Sequence, residues 1–227
     1  MKIKGLIEDS LEEWKGKISA VIFTGGCNLR CPYCHNPALV ESYEKLPDLS
    51  EEEIFGRLKS KKPWIDGIVI SGGEPTLQSD LPLFLMNIKK MDYPAKIETN
   101  GTNPKMLDYI LNHKLADYIS MDIKWPLEKY GKYADEVKKS IEIIRNSNID
   151  YEFSTTVVPG LIGKEEMTRI CESIKGAKNY TLQQFRSKNI NLLDKTLINK
   201  VSYSKEELEG FLNIAKKYVS NAQIRGL

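Results

Sequence analysis

Three cysteines packed into eight residues are the part of this chain best equipped for chemistry. Cys27, Cys31 and Cys34 stand in the run Gly26-Cys27-Asn28-Leu29-Arg30-Cys31-Pro32-Tyr33-Cys34-His35-Asn36-Pro37, and the fourth cysteine, Cys171, lies far downstream. Disulfide frameworks spread their cysteines to close long loops, and a cytoplasmic chain would not keep them oxidised. Thiolates are soft ligands that suit zinc or iron–sulfur clusters. Zinc would recruit His35 beside Cys34, but adjacent residues converge poorly on one tetrahedral ion, and structural zinc sites draw their ligands as separated pairs. Three thiolates fit a cubane 4Fe-4S cluster with one iron left open to a substrate or cofactor. Cys171 falls in a helical pattern with Met167, Ile170 and Ile174, where a thiol behaves as a small hydrophobe.

Three further motifs carry polar groups. Ser71-Gly72-Gly73-Glu74-Pro75 offers two glycines that let backbone approach a ligand, although Gly-Gly also simply ends strands. Glu98-Thr99-Asn100-Gly101 presents a carboxylate and an amide, or else a turn and helix cap. In Met121-Asp122-Ile123-Lys124 the two charges could pair with each other on the surface, which is worth little. Thr155-Thr156-Val157-Val158-Pro159-Gly160 reads as structural. His113 reads as a helix-end histidine, and Trp14, Trp64 and Trp125 as packing residues.

The elements that must position these motifs alternate along the chain. Strand-like runs cover 18–23, 65–70, 95–99, 118–123, 151–158 and 180–185. Helical periods lie between them. Ser50 opens one as a capping box, with Ile54 and Leu58 on its stripe, and Asp80 caps another carrying Leu81, Leu85 and Ile88. Asn103-Pro104 starts a third with Leu107, Ile110 and Leu111. Later ones carry Val137, Ile141 and Ile144, then Met167, Ile170 and Ile174, and a last helix covers 205–218 after an irregular loop at 186–200. Six βα units imply an α/β fold with a parallel sheet and right-handed crossovers. A doubly wound sheet would gather its site at one switch point, whereas every motif here follows a strand, as in barrel enzymes. The expectation is an open, partial (β/α)6 TIM-like barrel, and with no linker or composition shift the chain reads as one domain over 1–227.

The composition sets the limits. Among 227 residues, 33 Lys and Arg face 31 Asp and Glu, so a net charge of +2 gives no field for nucleic acid. The charged start does not read as a signal peptide and no apolar run is long enough to span a bilayer, so the expected location is cytoplasmic, with no membrane partner.

The C-x3-C-x2-C spacing, with an aromatic before the third cysteine, resembles the radical S-adenosylmethionine enzymes. That resemblance implies one oxygen-sensitive 4Fe-4S cluster held by Cys27, Cys31 and Cys34, with S-adenosylmethionine bound to the open iron by its amino and carboxylate groups. One electron from the reduced cluster would then split the sulfonium to methionine and a 5′-deoxyadenosyl radical. It also implies that Tyr33 packs beside the adenine, with Cys34 and His35 next to it. Gly72, Gly73 and Glu74 match the family's methionyl-binding GGE motif. Glu98, Thr99 and Asn100 match a D-T-N-G segment, with Glu98 in place of Asp, and Asp122 and Lys124 match a D-x-K segment near the cofactor. No catalytic residue beyond the cluster ligands is implied. The ending Cys34-His35-Asn36-Pro37 is similar to activating enzymes of glycyl-radical enzymes, above all those of anaerobic ribonucleoside-triphosphate reductase. Such an oxidoreductase removes a glycine α-hydrogen from its partner enzyme and takes its electron from a flavodoxin- or ferredoxin-like donor. Two alternatives remain at this point. One is a small-molecule radical enzyme such as 7-carboxy-7-deazaguanine synthase, which typically follows the third cysteine with Asp-Thr. The other is a non-catalytic zinc or electron-transfer module.

Overall fold

The computed structural model describes residues 1–188 and 191–227. The fold divides into two compact units. The first comprises Met1–Arg30, Asn36–Thr99 and Asp108–Ile119; the second comprises Cys31–His35, Asn100–Leu107 and Ser120–Leu227. The chain passes from one to the other inside the cysteine motif itself, between Arg30 and Cys31.

The first unit is built on strands β1 (Ile3–Ser10), β2 (Ser19–Thr24), β3 (Gly67–Gly72) and β4 (Ala95–Thr99). β1 runs antiparallel to β2, and β2, β3 and β4 are parallel neighbours, with Ile22 beside Ile70 and Ile70 beside Ile97. β2 and β3 read as near-continuous apolar runs because parallel strands are covered on both faces, and Ala20, Val21, Ile22, Ile68, Val69 and Ile70 are fully buried. Each of the larger side chains contributes roughly 1.5–3 kcal/mol by leaving water. Helix α1 (Pro37–Glu41) is short, while α2 (Glu51–Lys61) buries Ile54 and Leu58 and α3 (Leu81–Lys90) buries Leu81, Leu85 and Ile88, as their spacing predicts. Ser50 caps α2 by accepting from the Glu53 amide at 3.1 Å. The Glu53 carboxylate does not complete a capping box, because it accepts from Arg57 one turn on, at 2.6 Å. Asp80 stands at the N-cap of α3 but makes no side-chain cap. Its carboxylate accepts instead from the Met1 amine at 2.5 Å, a charge-assisted bond stronger than a neutral cap.

Helix α4 (Pro104–Asn112) and strand β5 (Tyr118–Asp122) each have residues in both units. Leu107 and Ile110 are buried and Leu111 is half-buried. The second unit continues with α5 (Ala134–Asn146), β6 (Asp150–Val157), α6 (Lys164–Ser173), β7 (Asn179–Gln184), α7 (Lys205–Ala215) and β8 (Asn221–Arg225). β6, β7 and β8 are parallel neighbours. Val137, Ile141, Ile144, Met167, Ile170 and Ile174 are buried, and Cys171 lies among them without exposure.

Several expectations need correction. The βα series is flanked by two strands that the pattern did not announce, β1 at the start and β8 at the end. Trp64 is not a packing residue: it ends a turn after α2 and is 72% exposed, whereas Trp14 is buried against Val21 and Val69 and Trp125 packs edge-on to Tyr130. The loop at 186–200 is not wholly irregular, since Lys195–Leu197 forms a 3-10 turn capped by Asp194; two of its residues, 189 and 190, lie outside the described ones. His113 does sit exposed just past α4, stacked on Tyr109 with its Nδ1 2.8 Å from the Tyr109 carbonyl.

Candidate active site

In the first unit the cysteine loop leaves β2 through a tightly bonded turn. Gly25 N–H donates to the Lys2 carbonyl and Gly26 N–H to the Leu39 carbonyl, at 2.9 and 2.8 Å. The Gln78 amide donates to the Gly25 carbonyl at 3.0 Å. Gly26 has φ +93°, a region that L side chains rarely enter. Beyond it, the Leu29 N–H donates to Cys27 Sγ at 3.5 Å. The Arg30 guanidinium donates back to the Cys27 and Leu29 carbonyls at 2.7 and 3.0 Å, closing the loop on itself.

The Gly72-Gly73-Glu74 turn is fitted against that loop. Gly73 N–H donates to the Thr24 carbonyl at 2.8 Å and Glu74 N–H to the Gly26 carbonyl at 2.9 Å. A Cβ on Gly73 would stand 2.0 Å from the Gly26 oxygen, and one on Gly72 2.2 Å from the Thr24 nitrogen. Both glycines are therefore demanded by backbone meeting backbone. Glu74 is 1% exposed, and its Oε1 accepts from the Thr76 N–H, the Thr76 hydroxyl and the Thr99 hydroxyl at 3.1, 2.6 and 2.7 Å. Its carboxylate thus joins the end of β3 to the end of β4. Glu74→Ala would take the shared acceptor from three donors at a buried position. A loss of about 3 kcal/mol is expected, which for a chain of this size is a fall in Tm of roughly 6–12 °C by calorimetry.

Glu98 reaches Ser71 Oγ through Oε2 at 2.8 Å and the Lys96 ammonium through Oε1 at 3.0 Å. Lys96 is 2% exposed and also donates to the Glu13 carbonyl, so the Glu98 carboxylate stands beside a buried cation held from two sides.

The second unit holds Cys31, Tyr33, Cys34 and His35. The turn is set by Cys34 N–H to the Cys31 carbonyl at 3.0 Å. It is gripped from the later loop, where Asp194 N–H donates to the Pro32 carbonyl at 2.8 Å and Leu193 N–H to the Cys34 carbonyl at 3.2 Å. Tyr33 is buried and donates to the Lys124 carbonyl at 3.3 Å; burial pushes its phenol well above the usual range, against the opposing pull of Lys124. The Lys124 ammonium contacts Asp122 at 2.6 Å. Burial works against that ammonium, but Asp122, helped by Tyr33 and Cys31, more than offsets it and holds the group well above its ordinary value. Asp122 also accepts from the Ser154 hydroxyl, so this pair is a fixed feature of the strand end and not a loose surface contact. Asn100 turns its Oδ1 back to the Thr102 N–H and hydroxyl at 3.0 and 2.7 Å, closing an Asx turn. His35 is exposed.

Sequence reasoning passed over Thr76, Ser154, Leu193 and Asp194. Ser154 had a signal, the polar–apolar alternation of β6; backbone grips such as those of 193 and 194 have none. Among the described residues no three His, Cys, Asp or Glu side chains form a group that could hold a single metal ion. The donor set is nonetheless one an iron–sulfur cluster uses: three thiols in one loop, none in a disulfide, with a backbone N–H turned to the sulfur of Cys27. These residues fit such a cluster.

Residues 21–173 match the model of the Radical SAM superfamily, and the chain belongs to it. A Methanocaldococcus jannaschii protein provisionally named a glycyl-radical enzyme activating enzyme is 34% identical over 98% of this chain and 95% of its own length. The pyruvate formate-lyase-activating enzyme of Clostridium pasteurianum is 27% identical over 78% of this chain and 79% of its own. The 7-carboxy-7-deazaguanine synthase of Clostridium acetobutylicum is 26% identical over 74% and 85%. Among solved structures, Streptococcus suis SuiB bound to the precursor peptide SuiA aligns with a TM-score of 0.67 at 15% identity over 91% of this chain. The chain spans about half the length of that structure, 48%. The α/β fold expected from the βα alternation is thus the radical S-adenosylmethionine fold, whose cofactors are one 4Fe-4S cluster and S-adenosylmethionine. Among the described residues no helix is long and apolar enough to cross a membrane.

Proposed function

We propose that this protein is a glycyl-radical enzyme activating enzyme that acts in the cytoplasm as one catalytic domain over 1–227. Its partner is a glycyl-radical enzyme, in the finer reading an anaerobic ribonucleoside-triphosphate reductase, and its electron comes from a flavodoxin- or ferredoxin-like donor. The observation that carries this is the 34% identity running over nearly the whole of both chains with the provisionally named activating enzyme. The Cys34-His35-Asn36-Pro37 ending supports it, since the deazaguanine synthases typically place Asp-Thr where His35-Asn36 stand.

In this reading Cys27, Cys31 and Cys34 hold the cluster, with Gly72, Gly73, Glu74, Glu98, Thr99, Asn100, Asp122, Lys124, Tyr33 and His35 forming the cofactor's surroundings. When bound, cluster and S-adenosylmethionine supply the one-electron chemistry for hydrogen abstraction. The protein's own contribution is positioning. Glu74 and the two glycines fix the loop of Cys27, the 193–194 backbone grips the turn of Cys31 and Cys34, and Ser154 orients Asp122 beside the charged Lys124. The relative at 26% identity keeps a second reading open, a small-molecule radical enzyme of the deazaguanine synthase kind.

Anaerobic reconstitution with iron and sulfide, followed by dithionite and S-adenosylmethionine, is expected to yield methionine and 5′-deoxyadenosine. Adding the glycyl-radical enzyme encoded in the same genome is expected to produce a glycyl radical detected by electron paramagnetic resonance. Zinc without sulfide, or no cleavage, would sink the radical reading. Cleavage without a glycyl radical, coupled instead to turnover of a small molecule, would favour the second one.

A further inference from the structure

Parallel strands covered on both faces are ordinarily apolar on both. β6, β7 and β8 depart from this. One face carries Tyr151, Phe153, Thr155 and Val157, then Tyr180 and Leu182, then Ala222 and Ile224; the other carries Glu152, Ser154, Thr156, Thr181, Gln183, Gln223 and Arg225. The register sets these polar residues in rows across three strands, Ser154 beside Thr181 beside Gln223, and Thr156 beside Gln183 beside Arg225. At the centre lies Glu152, 5% exposed. Its carboxylate accepts from Ser120 Oγ at 3.2 Å, Thr181 Oγ1 at 3.0 Å, and Arg225 Nη2 at 3.3 and 3.2 Å to its two oxygens. As a stabilising device this is a poor choice, because desolvating a carboxylate offsets most of what the pair returns, and apolar filling does as well or better.

The arrangement makes better sense as preparation of Arg225. Its side chain is 39% exposed, and of its five N–H donors only those on Nη2 are engaged; Nε and Nη1 find no acceptor among the described residues. A guanidinium held at Nη2 has its plane fixed, and the two donors on Nη1 then point in set directions.

We propose that Arg225 binds the substrate, donating from Nη1 to a main-chain carbonyl oxygen of an extended polypeptide segment, with Glu152 as its positioning residue and Gln183 and Gln223 continuing the polar face. The acceptor is a neutral carbonyl and not a carboxylate, because Glu152 already offsets the charge of Arg225 and a second anion beside it would be repelled. This deepens the activating-enzyme reading and rests on it, since only there is the substrate a polypeptide.

The test uses reconstituted enzyme with S-adenosylmethionine and a labelled eight-residue peptide, blocked at both ends. Its sequence is copied from the glycine loop of the glycyl-radical enzyme of the same genome. Fluorescence anisotropy gives Kd, and initial rates with the same peptide give KM and kcat. Arg225→Gln is expected to weaken binding about tenfold or more, the loss of a charge-assisted hydrogen bond, with KM rising in step and kcat changing less than threefold. Arg225→Lys, which keeps the charge beside Glu152 but has no second nitrogen to donate from, is expected to recover only part of the affinity, and it carries the comparison if Arg225→Gln folds poorly. Equal Kd values for wild type and Arg225→Gln, or full recovery in Arg225→Lys, would overturn the assignment and leave the activating-enzyme reading standing. Wild-type enzyme that cleaves S-adenosylmethionine yet binds no peptide would overturn both.

Discussion

Cys31→Ala is expected to leave a folded protein that takes up no stable cluster and cleaves S-adenosylmethionine at less than about one part in 10³ of the wild-type rate, since the whole acceleration depends on the bound group. The measurements are iron and sulfide content with visible absorbance after anaerobic reconstitution, and 5′-deoxyadenosine by chromatography. The expectation of folding comes from how the turn is held. Backbone bonds hold it, from Asp194 and Leu193 to the Pro32 and Cys34 carbonyls and from Cys34 to the Cys31 carbonyl, and Cys31→Ala keeps the groups that make these three. Cys171→Ala is the matched control. The Cys171 thiol is wholly enclosed on α6, and burial pushes it up to about 12, so at neutral pH it stays protonated, and only a thiolate binds metal. Losing it should cost about 1 kcal/mol of stability, with cluster content unchanged. Cleavage surviving in Cys31→Ala, or cluster loss in Cys171→Ala, would show that the three-plus-one division of the cysteines is wrong.

That proposed division rests on thiol chemistry being local: three soft ligands within eight residues exclude most other readings before any fold is known. The βα alternation was legible for a similar reason, since β2 and β3 announce themselves as continuous apolar runs and α2 to α6 by their stripes. The two flanking strands were not. β1 mixes Lys4, Glu8 and Asp9 into its run and pairs antiparallel at an edge, and β8 is five residues long, with Asn221 and Gln223 exposed. Their membership depends on long-range pairing that no window of sequence contains. The polar motifs divide in the same way. Gly72, Gly73 and Glu74 were visible as a motif, but only the folded chain shows that the glycines admit the backbone of residues 24–26 and that the Glu74 carboxylate faces Thr76 and Thr99. The Asp122 and Lys124 pair could be guessed, whereas the Ser154 hydroxyl that fixes it comes from the next strand in the chain, where the alternation of β6 shows its face but not its partner.

The second large effect follows from that backbone contact. Gly73→Ala places a methyl group 2.0 Å from the Gly26 oxygen, 2.6 Å from its carbon and 3.2 Å from its nitrogen. No flexible side chain end is involved, so the clash can be relieved only by moving the turn away from the cysteine loop. That movement breaks the bonds from Gly73 N–H to Thr24 and from Glu74 N–H to Gly26, and draws Glu74 away from Thr99. Two lost backbone bonds and a disturbed buried carboxylate sum to about 4 kcal/mol or more, a fall in Tm of roughly 8–16 °C. Because Gly26 immediately precedes Cys27, cluster content should fall with stability, which separates this variant from an ordinary core defect. Gly56→Ala supplies the opposite sign. Gly56 is exposed within α2 and an added Cβ meets nothing within 4 Å, so alanine there should stabilise by about 0.5–1 kcal/mol through helix propensity. A Gly73→Ala protein within about 1 kcal/mol of wild type that reconstitutes fully would mean that the turn can retreat without cost. The close approach to residues 24–26 would then not be what requires glycine at this position.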